Sequence, residues 1–237
     1  MIIIYYVEKN VEKVLNGEST NFIEIKYLGK IKNKLKNIKY EIYRPFSDAT
    51  KVIIYKNKKV DIKVFEIESK VPIRHQDILG TLYSLNISDE MFGDVVCDNG
   101  KYFIIVVSSI ENYLKSNMLS IRNSNIKLVE RKEDYLINYK QKFEEIILIV
   151  TSTRMDSIVS KIVNTSRNNA LNLLKNGDVF LNYEELTKPT YILKENDIFS
   201  VRKYGKYKFS GIINNTKKGN LVIKILKYVW YNLSRRW

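Results

Sequence analysis

The spacing of apolar residues predicts short helices in the first part of the chain. Apolar residues three or four positions apart, as on one face of a helix, run through residues 22–36 and 77–85. The segment VEKVLNG, residues 11–17, predicts another short helix that ends at its glycine. The N-terminal MIIIYYVEKN has a short apolar run with no basic residue before it. This predicts a strand and not a signal peptide.

Apolar runs bounded by turn residues predict strands in the same part of the chain. TKVIIY and VDIKVFEI, separated by KNKK, are typical of a two-stranded hairpin. GDVVCD and KYFIIVV predict a second hairpin around Asn99-Gly100, a dipeptide that tolerates positive φ. We expect Ser109 to cap a short helix, after which residues 126–130 return as a strand.

From the VDIKVFEI strand onward, the elements follow the order β-α-β-β-α-β, which is typical of a ferredoxin-like unit. RNA-recognition folds share this topology, and so do many enzymes and binding modules. The aromatic strand signature of the RNA-recognition motif is not evident in KYFIIVV. The topology alone therefore leaves RNA binding by this unit as one of several alternatives.

Two helices followed by strands are predicted after Val150. Thr153 and Asp156 fit a capping box, in which the threonine caps the first helix and the aspartate reaches back. Ser166 is expected to begin the second helix and Gly177 to end it. Further strands are predicted at 178–182, 198–203, 206–212 and 221–225.

Charge is distributed unevenly along the 237 residues. Residues 1–150 carry 24 basic and 20 acidic side chains, whereas residues 151–237 carry 16 and 6. No acidic residue follows Asp197, while ten lysines or arginines do. An A/T-rich genome would explain a large number of lysines, but it would not confine carboxylates to one side of a boundary in the chain. The basic C-terminal part therefore predicts a polyanionic partner, either nucleic acid or an acidic membrane surface.

Several kinds of catalytic and metal chemistry find no support in the sequence. His75 is the only histidine and Cys97 the only cysteine, so sites built from several imidazoles or thiolates are excluded. Neither a GxGxxG nor a GxxxxGK[ST] phosphate loop occurs. Asp77 with Asp94, or Glu144 with Glu145, could form carboxylate pairs, but each residue lies at an expected cap or surface position. We expect no cofactor and no metal.

RMDSIVSKIVNTSRNNALNLLKNGDVFLNYEELTKPTYILKENDIFSV, residues 154–201, resembles the S-four RNA-binding domain, named after ribosomal small-subunit protein four. In that family two helices and the following turn form a basic face for structured RNA. The matching positions are Arg154, Asp156, Ser166, Arg167, Ala170, Gly177, Val179, Asn182, Pro189 and Asp197.

The rest of the chain resembles a narrower group, the YlmH family of bacterial translation-associated proteins. HQDILGTLYSLNISDEMFGDVV resembles the family's central-domain signature, and DIFSVRKYGKYKFSGIINNTKKGN resembles its C-terminal extension. Gln76 and Asn220 stand where the family usually has arginine, and Lys203 where it has glycine. Lys206 also replaces an arginine, which keeps the charge but loses the bidentate fork.

The S-four resemblance implies that Arg154 and Arg167, at the starts of the two helices, contact phosphates. Arginines beside helix-end amides can combine guanidinium and backbone donors toward one phosphate. The alternatives are that Arg167 is a solvated surface residue and that Arg154 pairs with Asp156. The full set of expected RNA-binding residues is Arg154, Ser166, Arg167, Asn168, Lys175, Lys203, Lys206, Lys208, Lys217 and Lys218.

Together these patterns predict an α+β protein in three parts. An N-terminal α+β segment, 1–70, precedes a ferredoxin-like, RNA-recognition-motif-like central domain, 71–150. The last strand of the N-terminal segment can pair into this central domain. Residues 151–237 form an S-four-type domain of two helices and a β-sheet, with a basic C-terminal extension.

The two resemblances imply a non-catalytic RNA-binding protein, and the single cysteine and the lack of a signal-peptide pattern favour the cytoplasm. Its expected partners are structured rRNA or tRNA, in particular the large ribosomal subunit, in translation or ribosome-associated quality control. One alternative is an RNA-modifying enzyme, such as a pseudouridine synthase or methyltransferase, guided by an S-four-type domain. Another is a membrane-surface protein, in which the tail LVIKILKYVWYNLSRRW lies on an anionic leaflet. We expect no integral membrane association and no small-molecule substrate.

Overall fold

The computed structural model describes residues 2–229, which divide into two compact units. The first unit runs to Lys140 and the second comprises Gln141–Val229. Both mix helices with antiparallel sheets, in agreement with the predicted α+β class. Among residues 2–229, no helix combines the length and apolar content that crossing a bilayer requires. The end of the basic tail, residues 230–237, lies outside the described residues.

The first unit begins with two helices and a small antiparallel sheet in the strand order β1-β3-β2. Its elements are α1 (Ile2–Leu15), β1 (Ile23–Glu24), α2 (Ile25–Lys34), β2 (Glu41–Tyr43) and β3 (Lys51–Tyr55). The strand predicted at the N-terminus is wrong, because Val7, Val11 and Val14 form a helical stripe that packs against α2 and β3. Burial of that stripe outweighs the strand preference of the β-branched run.

The hairpin predicted around KNKK is also wrong. Strand β3 pairs with β1 and β2, whereas β4 (Ile62–Ser69) belongs to the next sheet. Val52 and Ile54 of β3 are buried in one hydrophobic cluster and Ile53 in another. Because β3 is covered on both faces, it forms an interior layer, and the KNKK segment crosses from one sheet to the other.

The central sheet carries the element order predicted from the sequence, with one additional short strand. After β4 come α3 (His75–Ser84), β5 (Phe92–Asp98), β6 (Lys101–Val107), α4 (Glu111–Asn117), β7 (Ser120–Ile121) and β8 (Ser124–Arg131). The strands are antiparallel to their neighbours in the order β5-β6-β4-β8-β7. Positive φ at Asn99 and Gly100 makes the predicted turn between β5 and β6. The cap expected at Ser109 does not form, because a 3-10 turn, Ser108–Ile110, precedes α4.

The second unit is a six-stranded antiparallel sheet with two helices packed on one face. Its strand order is β11-β10-β12-β13-β14-β9. Its elements are β9 (Phe143–Val150), α5 (Met155–Ile162), α6 (Arg167–Lys175), β10 (Val179–Leu181), β11 (Glu184–Glu185), β12 (Ile198–Val201), β13 (Gly205–Asn215) and β14 (Leu221–Tyr228). The buried residues Ile158 and Leu174 of the helices share one core with Phe199, Ile223 and Ile225 of the sheet.

The structure forms two compact units, whereas the sequence predicts three parts. Strand β9 pairs along its whole length with β14, from Val150 opposite Leu221 to Phe143 opposite Tyr228. The boundary expected after residue 150 therefore falls between Lys140 and Gln141. At the other end, β4, the last strand of the segment predicted as residues 1–70, pairs into the central sheet as the sequence allowed, and the whole segment belongs to the same unit. Sequence patterns missed the place of β9 because it depends on pairing with a strand about 70 residues later.

Candidate functional site

The first turn of α5 holds a buried carboxylate between two arginines. Asp156 is only 2% exposed and accepts hydrogen bonds from both guanidiniums. Arg154 donates from Nη2 at 2.8 Å and from Nε at 3.2 Å. Arg167 donates from Nε at 3.2 Å and from Nη2 at 3.3 Å. We call Arg154, Asp156 and Arg167 the arginine clamp.

The capping box predicted for α5 does not form. The N-cap residue is Arg154, with no side-chain cap bond, and Thr153 lies one position earlier, buried. The Asp156 carboxylate accepts from the neighbouring Ser157 N–H at 2.8 Å instead of reaching back to the cap. The carboxylate is thus bound by two guanidiniums and one backbone N–H, all of them charge-assisted hydrogen bonds.

The second helix begins as the sequence predicts, but its arginine is not free. Ser166 caps α6, since its hydroxyl accepts from the Asn169 N–H at 3.2 Å. At the other end, Gly177 at φ +71° ends the helix, and its N–H donates to the Leu174 carbonyl. Arg167 is neither a purely solvated residue nor free of partners, because it donates to Asp156. Arg154 pairs with Asp156, as the alternative interpretation of its sequence position predicts.

The arginine clamp has a net positive charge and an exposed outer edge. The side chains of Arg154 and Arg167 are 36% and 54% exposed, while Asp156 is enclosed. Burial by itself would raise the pKa of the Asp156 carboxyl, but the hydrogen bonds from Arg154 and Arg167 lower it below its ordinary value. Within residues 2–229, the bonds to Asp156 use Nε and Nη2 of each guanidinium, so Nη1 of each can donate to an external anion.

The structure brings some of the expected RNA-binding residues together at the clamp. Ser166 and Asn168 are exposed beside Arg167 in the first turn of α6. Lys175 is exposed in the last turn of the same helix, roughly 12 Å along the axis from Arg167. Lys175 therefore lies outside the clamp but on the same element.

The expected lysines of the sheet do not join the arginine clamp. Side chains alternate along β13, where Tyr207 and Phe209 face the helices and are buried in the common core. Lys206 and Lys208 therefore face the opposite side of the sheet. Lys206 lies there between two tyrosines, with Nζ 4.7 Å from each of the Tyr183 and Tyr228 ring centroids.

The remaining three lysines of the expected set lie in turns at opposite ends of β13. Lys203 is exposed in the turn before the strand, and Lys217 and Lys218 are exposed in the turn after it. Eleven residues of strand separate these turns, a span on the order of 35 Å. The expected set of ten residues is thus divided among the clamp with the adjoining first turn of α6, the last turn of α6, the far sheet face and two turns, and does not form one continuous surface.

Two positions of the S-four resemblance have structural roles in this fold. Asp197 is 8% exposed and accepts from Asn182 Nδ2 at 2.9 Å and from the Lys194 N–H at 2.8 Å. Asn182 in turn accepts from the Ile198 N–H at 2.9 Å. These bonds fix the loop that leads into β12. Sequence reasoning missed Arg202, an exposed cation that pairs with Asp178 at 3.2 Å.

The face of the central sheet that does not pack on helices is covered. Phe103 and Ile105 of β6 are fully buried on this face. Phe46, Leu136 and Tyr139 pack over them in the same hydrophobic cluster. RNA-recognition folds bind RNA on this face, through exposed aromatic residues. Here the face is a second core and cannot accept a nucleotide.

The side chains considered for catalysis have structural partners. Asp77 binds Arg74 at 2.8 Å, and Asp94 accepts from the Thr50 N–H at 2.8 Å. Cys97 is buried within β5. No group of three or more potential metal ligands occurs among residues 2–229.

Comparison with known proteins connects the chain to the YlmH group. The model of the family "Putative RNA-binding domain in YlmH" matches residues 56–135, about a third of the chain. This match lies in the first unit and does not include the arginine clamp. Ribosome-associated protein quality control protein P2 of Bacillus subtilis is 27% identical over 149 residues. The aligned region is 62% of this chain and 58% of that relative, so it spans little more than half the relative's length.

A solved structure is also similar. The cell division protein ylmH from Streptococcus pneumoniae aligns with 57% of this chain and 93% of its own, at 16% identity and a TM-score of 0.48. The family-model match and the curated relative support a relationship to YlmH-type proteins.

Proposed function

We propose that this protein is a non-catalytic RNA-binding protein that binds structured rRNA or tRNA on the ribosome. The arginine clamp is the observation that carries the proposal. Two guanidiniums, oriented by one buried carboxylate, present donors at the first turns of two helices. A fixed pair of guanidinium forks suits phosphate oxygens, because less side-chain entropy is lost on binding.

The comparisons support RNA binding and an association with the ribosome, but they do not name the RNA. The matching family is described as RNA-binding, and the curated relative is named for ribosome-associated quality control. We extend this to the large subunit with tRNA as the particular partner, and to the cytoplasm as the compartment. The helix pair with its following strands supports an S-four-type domain in the second unit. The β-α-β-β-α-β order with antiparallel neighbours supports a ferredoxin-like assignment for the central sheet.

Direct binding tests the proposal. The purified protein should bind transcripts of large-subunit rRNA or tRNA in a filter-binding assay, and should sediment with large ribosomal subunits. Affinity should fall steeply with salt, by roughly 0.7–0.9 log units per log unit of salt for each phosphate contacted. Failure to bind either RNA would overturn the proposal. Chemical modification of the RNA by the purified protein, detected by mass spectrometry, would favour an enzyme instead.

A further inference from the structure

A second pair of arginines approaches a sheltered carboxylate in the first unit. The Asp77 side chain is 8% exposed. Arg74 binds it through Nε at 2.9 Å and through Nη2 at 2.8 Å. Arg122, in the turn between β7 and β8, brings Nη1 to 3.9 Å from the same carboxylate. The Arg74 and Arg122 side chains are 43% and 64% exposed, so both guanidiniums also face solvent.

Arg122 occupies a backbone conformation that disfavours arginine. Its φ is +55°, in the left-handed region where glycine and asparagine are tolerated best. Its guanidinium reaches Asp77 only near the outer limit of an ion pair, so this contact adds little to the local fold. A strained residue whose side chain contributes little to packing is a reason to look for a function outside the fold.

A groove lies between the segments that carry these cations. It has a volume of about 480 Å³ and is lined by residues 71–73 on one side and 121–124 on the other. Lys70, exposed, immediately precedes the first of these segments. Arg122 lines the groove itself, whereas Lys70 and Arg74 flank residues 71–73 in the connection between β4 and α3. Asp77, the carboxylate between Arg74 and Arg122, is itself largely enclosed.

We propose that Lys70, Arg74 and Arg122 form a second RNA contact, which binds the phosphodiester backbone along this groove. The inference rests on the proposed RNA-binding function. It adds the place where the first unit would contact RNA. All three residues lie within the segment 56–135 that matches the RNA-binding family model. The usual sheet face is buried beneath Phe46, Leu136 and Tyr139, so RNA must contact this segment elsewhere. Three cations beside one largely enclosed carboxylate, Asp77, leave an excess of positive charge at the groove, which fits a polyanion.

Arg122→Asn in the full-length chain tests the assignment. Asparagine tolerates positive φ but lacks the guanidinium, so the thermal midpoint should not fall. Affinity for a large-subunit rRNA transcript or a tRNA transcript should drop about tenfold, and the salt slope should decrease by roughly one. Lys58→Ala is the matched control, since it removes one charge from an 82% exposed side chain of the same unit. It should change affinity less than about twofold.

The outcomes separate this inference from the proposed function. If the unmodified protein binds RNA but Arg122→Asn behaves like Lys58→Ala, the groove is not an RNA contact and the proposed function stands. If the unmodified protein binds neither RNA, both proposals are overturned. A fall in the thermal midpoint of Arg122→Asn would assign Arg122 a structural role and would also overturn the inference.

Discussion

Arg167 donates two hydrogen bonds to Asp156, eleven residues earlier in the chain and at the start of a different helix. The bonds tie the first turn of α6 to the first turn of α5. Because Arg154 binds the same two carboxylate oxygens, Asp156 fixes the orientation of both guanidiniums. The carboxylate is thus a positioning group, and the two exposed arginine edges are the surface that we propose for RNA.

Asp156→Asn should destabilise the second unit. The substitution removes a buried charge that accepts from two guanidiniums, and bonds to charged groups contribute about 1.5–3 kcal/mol each. Since both arginines can reach water, we expect a loss of about 2 kcal/mol in the free energy of unfolding, measured by urea denaturation. Asp178→Asn is the control, because the pair of Asp178 with Arg202 is more exposed and should contribute less than about 1 kcal/mol. Equal effects would contradict the role of Asp156.

The contribution of Asp156 should depend on pH in one direction. Its folded pKa is lowered below the ordinary value of 3.8, so the unfolded chain takes up a proton first as the pH falls. The stabilisation is therefore complete well above the unfolded pKa and is lost as the pH falls through the folded pKa. The difference in thermal midpoint between the unmodified protein and Asp156→Asn should be constant from pH 6 to 8 and shrink below about pH 4. A difference that grows on acidification would contradict this assignment.

Arg167→Ala should affect RNA binding more than stability. Arg154 still pairs with Asp156 in this variant, so the free energy of unfolding should fall by only about 1 kcal/mol. Affinity for structured RNA should weaken by about 1–3 kcal/mol, the scale of charge-assisted hydrogen bonds. Arg167→Lys keeps the charge without the fork and should recover only part of the affinity. Full recovery by lysine would indicate that charge alone is recognised.

The end of α6 requires glycine at position 177. Its φ is +71°, and an added Cβ would lie 3.0 Å from the Glu185 carboxylate. Gly177→Ala should lower the free energy of unfolding by about 1–2 kcal/mol. Gly29→Ala is the contrasting control, since Gly29 is helical with nothing within 4 Å of a Cβ, and it should stabilise by up to about 1 kcal/mol. Both effects are measurable by chemical denaturation.

Local signals predicted the elements whose cause is local. The Ser166 cap, the Gly177 stop and the Asn99-Gly100 turn each depend on a few neighbouring residues, and all three are present. The sequence could not indicate that β9 pairs with β14 or that β3 and β4 belong to different sheets. Strand pairing of this kind depends on partners elsewhere in the chain.

In the candidate site, too, the local features were predictable and the long-range contacts were not. The helix starts that carry Arg154 and Arg167 followed from spacing and resemblance. The shared Asp156 partner did not, since it requires knowing how two helices pack. Side chains alternate between the two faces of β13, so Lys206 and Lys208 point away from the clamp. A count of positive residues along the sequence cannot show on which face of the sheet they lie.

The central claim is that the arginine clamp contacts RNA, and the salt dependence of binding tests it most directly. The double variant Arg154→Ala/Arg167→Ala should be compared with Lys56→Ala/Lys58→Ala, which removes the same charge from exposed lysines outside the expected RNA-binding set. With large-subunit rRNA or tRNA transcripts, the arginine variant should lose about 10- to 100-fold in affinity, and its salt slope should decrease by roughly two. The lysine variant should lose much less. Equal losses in the two variants would contradict the account.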